Sequence, residues 1–575
     1  MKFKLLPLGQ ALVLAIAASS MTARADTLPS GHPPVVAAAE AAEQLPGYAL
    51  TPDILYQFLL AEIAGQRGQY NVAAELLLKL AKRTSDPRIA QRGVEAALQV
   101  RDPALALEMA GLWEELAPAS LAAKQTMGAL LLNEGKPDQA LPHFKRLFAT
   151  QGTAPSRAFL QLAGMLSRAT DQVSALKLMR GLAQDYSDLP EARYAVAQTA
   201  FNAGEFQLAQ DETQEALRLK SGWAPAATLR GAALQRISPS AALNFYRDFI
   251  KQHPGVVEVR LDYARLLVVQ KELAEARIEF KQIANVAPQN ADVAVAVGLL
   301  SVQLNDTAVA EASLKKALEL NHRDPDMIRI YLGQLYEESK RYPEALAVYD
   351  EITAPEQQIP AQIRSAMVLF KRDGLDAGRK RLQTINAETE GQRIQLVQAD
   401  AQILREAKAY QQAFDVLSEA LKKSPDNTDL LYDRAMVAEK LDRIDMLEQD
   451  LTKVIRLKPD SAHAYNALGY SLADRSQRLP EALQLVEKAH KLSPEDPFIL
   501  DSLGWVQYRL GNLELGLMHL RNAYATRPDP EIAAHLGEVL WKQGKQQEAQ
   551  KLWGAALVEH PANEVLLQAI QKFKP

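Results

Sequence analysis

Apolar residues recur at helical spacing along most of the chain, and a small residue returns once in every period of about 34 residues. The steps between successive small residues are 33 to 36 residues, and every such position holds Gly or Ala. Self-similarity at this period is typical of proteins built from repeated supersecondary units. The fourteen positions are Gly93, Gly128, Gly164, Ala197, Gly231, Ala264, Gly298, Gly333, Ala366, Ala401, Ala435, Gly469, Gly504 and Gly537.

Each period predicts a helical hairpin, with the small residue on helix A letting helix B of the same repeat approach closely. Pairs such as Leu503-Gly504 place a large apolar residue beside the small one. A proline, which cannot continue a helix, follows helix B at the same period. One hairpin cannot bury its own apolar faces, so we expect neighbouring hairpins to stack. The prolines are Pro425, Pro459, Pro494, Pro528 and Pro561.

The stretch "AHAYNALGYSLADRSQRLPEALQLVEKAHKLSP" (462–494) resembles the tetratricopeptide repeat family, with one inserted residue in its turn. The resemblance covers nearly all of residues 52–562, about fifteen hairpins. It implies an all-α, right-handed superhelical solenoid whose A helices line a concave, protein-binding face. We divide the array into degenerate repeats at 51–255, where Ser221 replaces the usual proline and Trp113 the usual Ala, and regular repeats at 256–562.

The ends of the chain differ from the array. Residues 1–25 combine two lysines, the apolar run "ALVLAIAA" (11–18) and small residues before Asp26, which predicts a cleavable signal peptide. Residues 26–50 are rich in Pro, Gly and Ala and are interpreted as a flexible leader, with a short helix at 35–45. Residues 563–575 predict a capping helix, with Val565, Leu566, Ile570 and Phe573 on one face and Lys572 and Lys574 suited to its C-terminal end.

The amino-acid composition narrows the range of possible functions. The chain has 575 residues and no cysteine, so disulfides and a lipid-bearing cysteine are both excluded. Removing the signal peptide changes the formal net charge from −5 to −8. Such mild acidity gives no argument for nucleic-acid or anionic-lipid binding. No later segment approaches the length of a transmembrane span.

The search for chemistry predicts no catalytic site, no metal and no cofactor. None of the nine histidines, His535 among them, stands in a metal-binding motif. The stretch "GNLELG" (511–516) has the glycine spacing of a phosphate loop, but Leu517 stands where the loop needs Lys. We therefore expect the protein not to be an enzyme.

A candidate partner-binding face lies on three consecutive A helices near the C-terminal end. Aromatic residues stand there beside charged and amide side chains at helical spacing, and Trp, Tyr and Arg are enriched at binding hot spots. The alternative is that the aromatics pack against neighbouring A helices. Gln507, where the family usually has an apolar residue, has no explanation from sequence. The candidate residues are Asn466, Tyr470, Asp501, Trp505, Tyr508, Arg509, Glu538, Trp541 and Lys542.

The C-terminal run is also similar to long exported repeat proteins of Gram-negative bacteria. One type is an outer-membrane lipoprotein that binds a periplasmic carboxyl-terminal processing protease and presents peptidoglycan hydrolases to it. The resemblance implies a periplasmic adaptor with protein partners, and it allows peripheral association with the outer membrane. This chain departs from that type because it has no lipid-bearing cysteine. The alternative function is binding of polysaccharide or cell wall within an export or assembly machine.

Overall fold

The computed structural model describes residues 49–100, 102–150 and 154–573. Within these ranges the chain is α-helical and contains no strand. The predicted signal peptide, most of the predicted leader and Lys574 lie outside the described residues. No helix in the described ranges is both long enough and apolar enough to cross a membrane.

The chain divides into two compact units, the first ending at His322 and the second beginning at Arg323. The helices of the first unit are α1 Pro52–Gln66, α2 Tyr70–Thr84, α3 Pro87–Val100, α4 Pro103–Leu116, α5 Leu121–Asn133, α6 Pro137–Thr150, α7 Pro155–Leu166, α8 Gln172–Ala183, a 3₁₀ turn at Gln184–Tyr186, α9 Pro190–Asn202, α10 Phe206–Leu219, α11 Ala224–Ile237, α12 Pro239–Gln252, α13 Val257–Val269, α14 Leu273–Val286, α15 Ala291–Gln303 and α16 Thr307–Glu319. The helices of the second unit are α17 Pro325–Glu338, α18 Tyr342–Asp350, α19 Pro355–Asp373, α20 Leu375–Gln383, α21 Glu390–Glu406, α22 Tyr410–Lys423, α23 Thr428–Lys440, α24 Ile444–Leu457, α25 Ala462–Asp474, α26 Leu479–Leu492, α27 Pro497–Arg509, α28 Leu513–Thr526, α29 Pro530–Lys542, α30 Gln546–Glu559 and α31 Glu564–Phe573.

Each odd-numbered helix up to α29 packs against the even-numbered helix that follows it, which makes fifteen hairpins in the described residues. All fourteen periodic Gly and Ala positions fall in odd-numbered helices, from α3 to α29. The prediction of an all-α fold built from about fifteen helical hairpins is therefore confirmed. The predicted change from degenerate to regular repeats near residue 255 is a distinction of sequence, and it stays a prediction.

The pairing of α27 with α28 shows why the small residue is needed. A Cβ atom added to Gly504 would lie 2.6 Å from Cγ of Leu520 and 2.9 Å from the backbone oxygen of Gly516. A Cβ added to Gly516 would in turn lie 2.9 Å from the backbone oxygen of Gly504. Gly164 in α7 differs, because no heavy atom outside its own helix lies within 4 Å of such a Cβ. Close approach thus explains Gly504 but does not explain every member of the series.

Local chemistry sets the helix ends. Asp496 begins α27 by accepting hydrogen bonds from the backbone N–H groups of Phe498 and Ile499, which would otherwise lack partners. The helix ends shortly before Gly511, whose φ of +91° favours glycine over residues with a Cβ. These signals lie in the sequence itself, and they fix where α27 starts and stops.

The last helix, α31, covers the end of the second unit. Leu566 is fully buried, and Ile570 and Phe573 pack against the same apolar cluster, which includes Trp553. Val565 is exposed, so the expectation that it shares the buried face is wrong. The buried face of this short helix is narrower than the sequence pattern suggests.

Candidate functional site

The nine predicted partner-binding residues lie on α25, α27 and α29, and their side chains differ in exposure to solvent. These three helices are neighbours, since α25 packs against α27 and α27 against α29. Asp501, Trp505 and Glu538 are buried, and Lys542 is exposed. The five others are half-buried: Asn466, Tyr470, Tyr508, Arg509 and Trp541.

The centre of this region is a buried pair between α27 and α29. His535 Nδ1 lies 2.9 Å from Oδ2 and 3.0 Å from Oδ1 of Asp501. Burial by itself would lower the pKa of His535, but the Asp501 carboxylate outweighs it, and the pKa is raised. The nearby carboxylates of Asp474 and Glu531 act in the same direction. The His535 imidazole is therefore protonated more readily than an ordinary histidine side chain.

Trp505 packs against this pair. Its ring stacks on the imidazole of His535, with centroids 4.2 Å apart and planes inclined by 27°. The hydroxyl of Tyr470 lies 3.4 Å from His535 Nε2 on the other side of the pair. The indole Nε1–H of Trp505, which is 4% exposed, has no hydrogen-bond acceptor among the described residues. Trp505 therefore packs against a neighbouring A helix, as the alternative interpretation of the sequence expects. A role of Trp505 in partner binding stays a prediction.

A second polar cluster joins α27, α29 and α31. The Tyr508 hydroxyl donates to Oε1 of Glu538 at 3.0 Å, and Lys572 Nζ donates to the same oxygen at 2.8 Å. Burial and the Glu538 carboxylate together raise the pKa of Tyr508. Glu538 is therefore a buried carboxylate whose Oε1 accepts hydrogen bonds from two neighbouring helices.

Trp541 belongs to an aromatic stack that closes the C-terminal end of the second unit. Its ring lies 5.9 Å from that of Trp553 and 5.8 Å from that of Phe573. Trp553 is anchored because its Nε1–H donates to the backbone oxygen of Ala533 at 3.1 Å. One edge of Trp541 remains accessible beside the exposed Lys542, whose ammonium lies 5.5 Å from the Phe573 ring.

Three further predicted residues are half-buried and polar. The guanidinium of Arg509 lies 5.7 Å from the Trp505 ring and donates to Ser476. Tyr470 lies at the edge of the His535 pair. Oδ1 of Asn466 is buried and has no hydrogen-bond donor among the described residues. The side chains that a partner could reach without rearrangement are thus Arg509, Lys542 and the exposed edges of the half-buried residues.

Gln507 now has a structural explanation. The residue is buried, and its Oε1 accepts a hydrogen bond of 2.8 Å from Nδ2 of Asn512 in the turn before α28. The backbone N–H of Asn512 also donates to the Gln507 carbonyl at 2.9 Å. The polar side chain therefore ties the end of α27 to the turn, in a position where the family usually has an apolar residue.

The region combines buried polar pairs with a few accessible side chains. Its polar groups are mostly paired with one another, and its accessible atoms are hydrogen-bond donors, cationic groups and aromatic edges. Across the described residues, no group of three or more His, Cys, Asp or Glu side chains is arranged to hold a metal ion. His535 and Lys572 are two residues of the region that sequence reasoning did not place there. Both stand 34 residues after their partners, so the repeat period was the signal that could have found them.

Comparison with known proteins gives a consistent family. Models of the tetratricopeptide repeat match residues 233–300, 298–359 and 448–497. A TPR repeat-containing protein of Pseudomonas aeruginosa is 33% identical over 513 residues, which cover 89% of this chain and 86% of that protein. The cellulose synthase operon protein C of Pseudomonas fluorescens is 26% identical over 307 residues, 48% of this chain and 23% of that protein. The crystal structure of a thermophilic TPR protein of Thermus thermophilus is 22% identical and covers 30% of this chain and 94% of its own, with a TM-score of 0.28.

Proposed function

Because the chain belongs to the tetratricopeptide repeat family, we propose that it is a non-enzymatic scaffold of the bacterial cell envelope that binds other proteins. Repeats of this family act as protein-interaction scaffolds, and the family is in general non-catalytic. The observation that carries the proposal is the set of fifteen helical hairpins in the described residues, which fall into two compact units. Stacked hairpins offer an extended surface along which a partner is held by many contacts.

The proposed contact surface is the accessible part of α25, α27 and α29. Arg509 and Lys542 supply cationic groups there, and Tyr470 and Trp541 supply aromatic edges. Aromatic and arginine side chains carry a large share of binding energy in protein interfaces. The buried residues Asp501, Trp505 and Glu538 act in this proposal by fixing the positions of the three helices.

The envelope location is supported by the predicted signal peptide at residues 1–25. We place the mature protein in the periplasm, and fractionation of the envelope tests whether it also associates peripherally with the outer membrane. The partners proposed from the resemblance are a carboxyl-terminal processing protease and peptidoglycan hydrolases that the scaffold delivers to it.

The test is affinity capture from envelope extract with the mature chain as bait, followed by mass spectrometry. We expect recovery of the protease, of cell-wall hydrolases or of both. Lys542→Glu reverses an exposed charge on α29 and should weaken recovery, whereas Lys551→Glu makes the same change on the exposed side of α30 and should not. Equal recovery by both variants would remove α29 from the proposed surface. Recovery of neither partner class from cells that express both would remove the proposed delivery role.

The second candidate is binding of polysaccharide or cell wall within an export or assembly machine. It is favoured by the similarity to a protein of a cellulose synthase operon, although the match covers 23% of that protein. Trp541 is the half-buried tryptophan that a sugar ring could reach in this region. Quenching of its fluorescence by glycan fragments, absent in Trp541→Phe, would support this candidate, and no quenching at any accessible concentration would reject it.

A further inference from the structure

Arg230 in α11 is a half-buried cation that forms no ion pair with a described residue. Its guanidinium lies between the two B helices that flank α11. Nη2 donates a hydrogen bond of 3.0 Å to Oε1 of Gln214 in α10, and the central carbon of the guanidinium lies 4.8 Å from the ring centroid of Phe245 in α12. Nε is buried and has no hydrogen-bond acceptor among the described residues. The cation is therefore packed against both helices while part of its hydrogen-bonding capacity is unused.

The surroundings of Arg230 make its charge costly. Burial lowers the pKa of the guanidinium, and the carboxylate of Asp211 opposes this shift without forming an ion pair with it. An arginine side chain nevertheless stays protonated in proteins. A partly desolvated cation that has no paired anion raises the free energy of the protein, so an anion that reaches Arg230 gains a strong interaction.

A later repeat shows which anion suits this position. Arg434 directly precedes the small residue Ala435 of its A helix, as Arg230 precedes its own small residue. Nε and Nη2 of Arg434 donate to the two carboxylate oxygens of Asp450 in α24, at 2.8 and 2.7 Å. Nη1 donates to Oγ of Ser418 in α22 at 3.3 Å. An arginine at this position of the repeat thus holds a carboxylate with two parallel hydrogen bonds, the geometry in which this pair is strongest.

The repeat register identifies what Arg230 lacks. Asp450 stands sixteen residues after Arg434, and Tyr246 stands sixteen residues after Arg230. Burial raises the pKa of Tyr246, so its phenol stays neutral and cannot balance a cation. The hydrogen-bond acceptor sixteen residues before the arginine is kept, since Gln214 takes that place. The Arg230 repeat therefore has the cation and the neutral acceptor of this arrangement but not its carboxylate.

We propose that Arg230 is a binding site for a carboxylate that a ligand supplies between α10 and α12. The ligand carboxylate takes the part that Asp450 plays for Arg434. Nη1 of Arg230 makes no hydrogen bond to a described residue and, unlike Nε, is not enclosed, so it is the atom at which the carboxylate enters. The same chemistry is offered by an acidic side chain of a protein and by a small carboxylic acid. The site uses helices of the first unit and does not depend on the contact surface proposed for α25, α27 and α29.

Chemical modification of arginine tests the site in the unsubstituted full chain. Phenylglyoxal reacts with accessible guanidinium groups, and mass spectrometry of peptides gives the rate at each arginine. We expect Arg230 to react faster than Arg434, whose guanidinium is held by a carboxylate. Three probes are then added at equal ionic strength: an end-blocked hexaglutamate peptide, glutarate and inorganic phosphate. Hexaglutamate, glutarate or both should slow the reaction of Arg230, whereas the exposed Arg236 at the end of the same helix should react as before.

The three probes distinguish the sources of the carboxylate. Slowing by hexaglutamate but not by glutarate supports the proposal and assigns the site to an acidic segment of a protein partner. Slowing by glutarate supports it and shows that a small carboxylic acid is sufficient. Slowing by neither, or by phosphate alone, would overturn the proposal. Equal slowing of Arg230 and Arg236 would also overturn it, since the anion would then act through the general charge of the surface.

Substitution of Arg230 gives a second measurement, with the probe that slows its modification as the ligand in calorimetry. Arg230→Gln should weaken binding by about tenfold or more, as expected for the loss of a hydrogen bond between charged groups. Arg230→Lys keeps the charge but loses the planar fork, and it should restore only part of the affinity. Arg236→Gln makes the same change of charge on the same helix and is the control. Unchanged affinity in Arg230→Gln would contradict the assignment.

Thermal unfolding without ligand separates binding from a structural role. Arg230→Met keeps an unbranched side chain against Phe245 and removes an unpaired cation, so the melting temperature should be nearly unchanged. Arg434→Met should lower the melting temperature, because it leaves Asp450 as a buried carboxylate without its cation. An equal loss in both variants would mean that Arg230 is needed for the fold itself, and the proposal would be wrong.

Discussion

The imidazole of His535 and the carboxylate of Asp501 form a buried pair, 2.9 Å apart, between two neighbouring odd-numbered helices of the second unit. Trp505 stacks on the imidazole, and Tyr470 approaches it from α25. The pair and the Tyr470 hydroxyl thus connect three successive A helices through polar groups. Buried polar groups of this kind are costly when one partner is removed.

Replacing Asp501 by Asn should destabilise the second unit while keeping the size of the side chain. The variant loses a charged acceptor for His535, and a hydrogen bond to a charged group is worth about 1.5–3 kcal/mol. We expect a lower midpoint of urea unfolding, measured by tryptophan fluorescence. Three of the five tryptophans lie in this unit, and Trp505 stacks on His535. Asp426→Asn, an exposed aspartate in the loop before α23, is the control and should leave the midpoint nearly unchanged.

The same pair predicts how stability depends on pH. The pKa of His535 is raised in the folded state above the usual value of about 6.5. Its stabilising contribution is therefore complete below that value, where the unfolded chain is also protonated, and it is lost as the pH rises through the folded-state pKa. We expect the free energy of unfolding to fall with increasing pH above about 6.5. Asp501→Asn should flatten this part of the profile, and an unchanged slope would mean that His535 does not titrate with the predicted sign.

The fold was predictable because its determinants are periodic in sequence. Gly504 belongs to a series of small residues, and several of the B helices are followed by a proline, both with a step of about 34 residues. The exposure of the candidate site was not predictable from one helix. Residues 501–507 of α27 are all buried, because an A helix packs against its own helix B and also against the A helices on both sides. When each helix is considered alone, Asp501, Trp505 and Glu538 are expected to face solvent. In the structure all three are buried.

Two glycines of the same periodic series should respond in opposite directions to replacement by alanine. Gly504→Ala places a Cβ 2.6 Å from Leu520 and 2.9 Å from the Gly516 backbone, so we expect a loss of about 1–3 kcal/mol from overpacking. Gly164→Ala meets no atom outside its helix within 4 Å, and it should gain up to about 1 kcal/mol from helix propensity. Thermal unfolding of both variants checks the prediction. Equal stabilisation by both would show that α27 and α28 can separate without cost.

Trp505→Ala separates a packing role from a contact role. The side chain is 4% exposed and stacks on His535, and truncation of a buried aromatic residue costs about 3–5 kcal/mol. We expect a clear loss of stability in urea unfolding with α-helix content largely kept by the other hairpins. Arg509→Ala is the comparison, because its half-buried guanidinium lies beside the Trp505 ring. It should weaken partner capture more than it lowers stability. If Trp505→Ala instead retained full stability and lost the partner, Trp505 would be a contact residue that the bound state exposes.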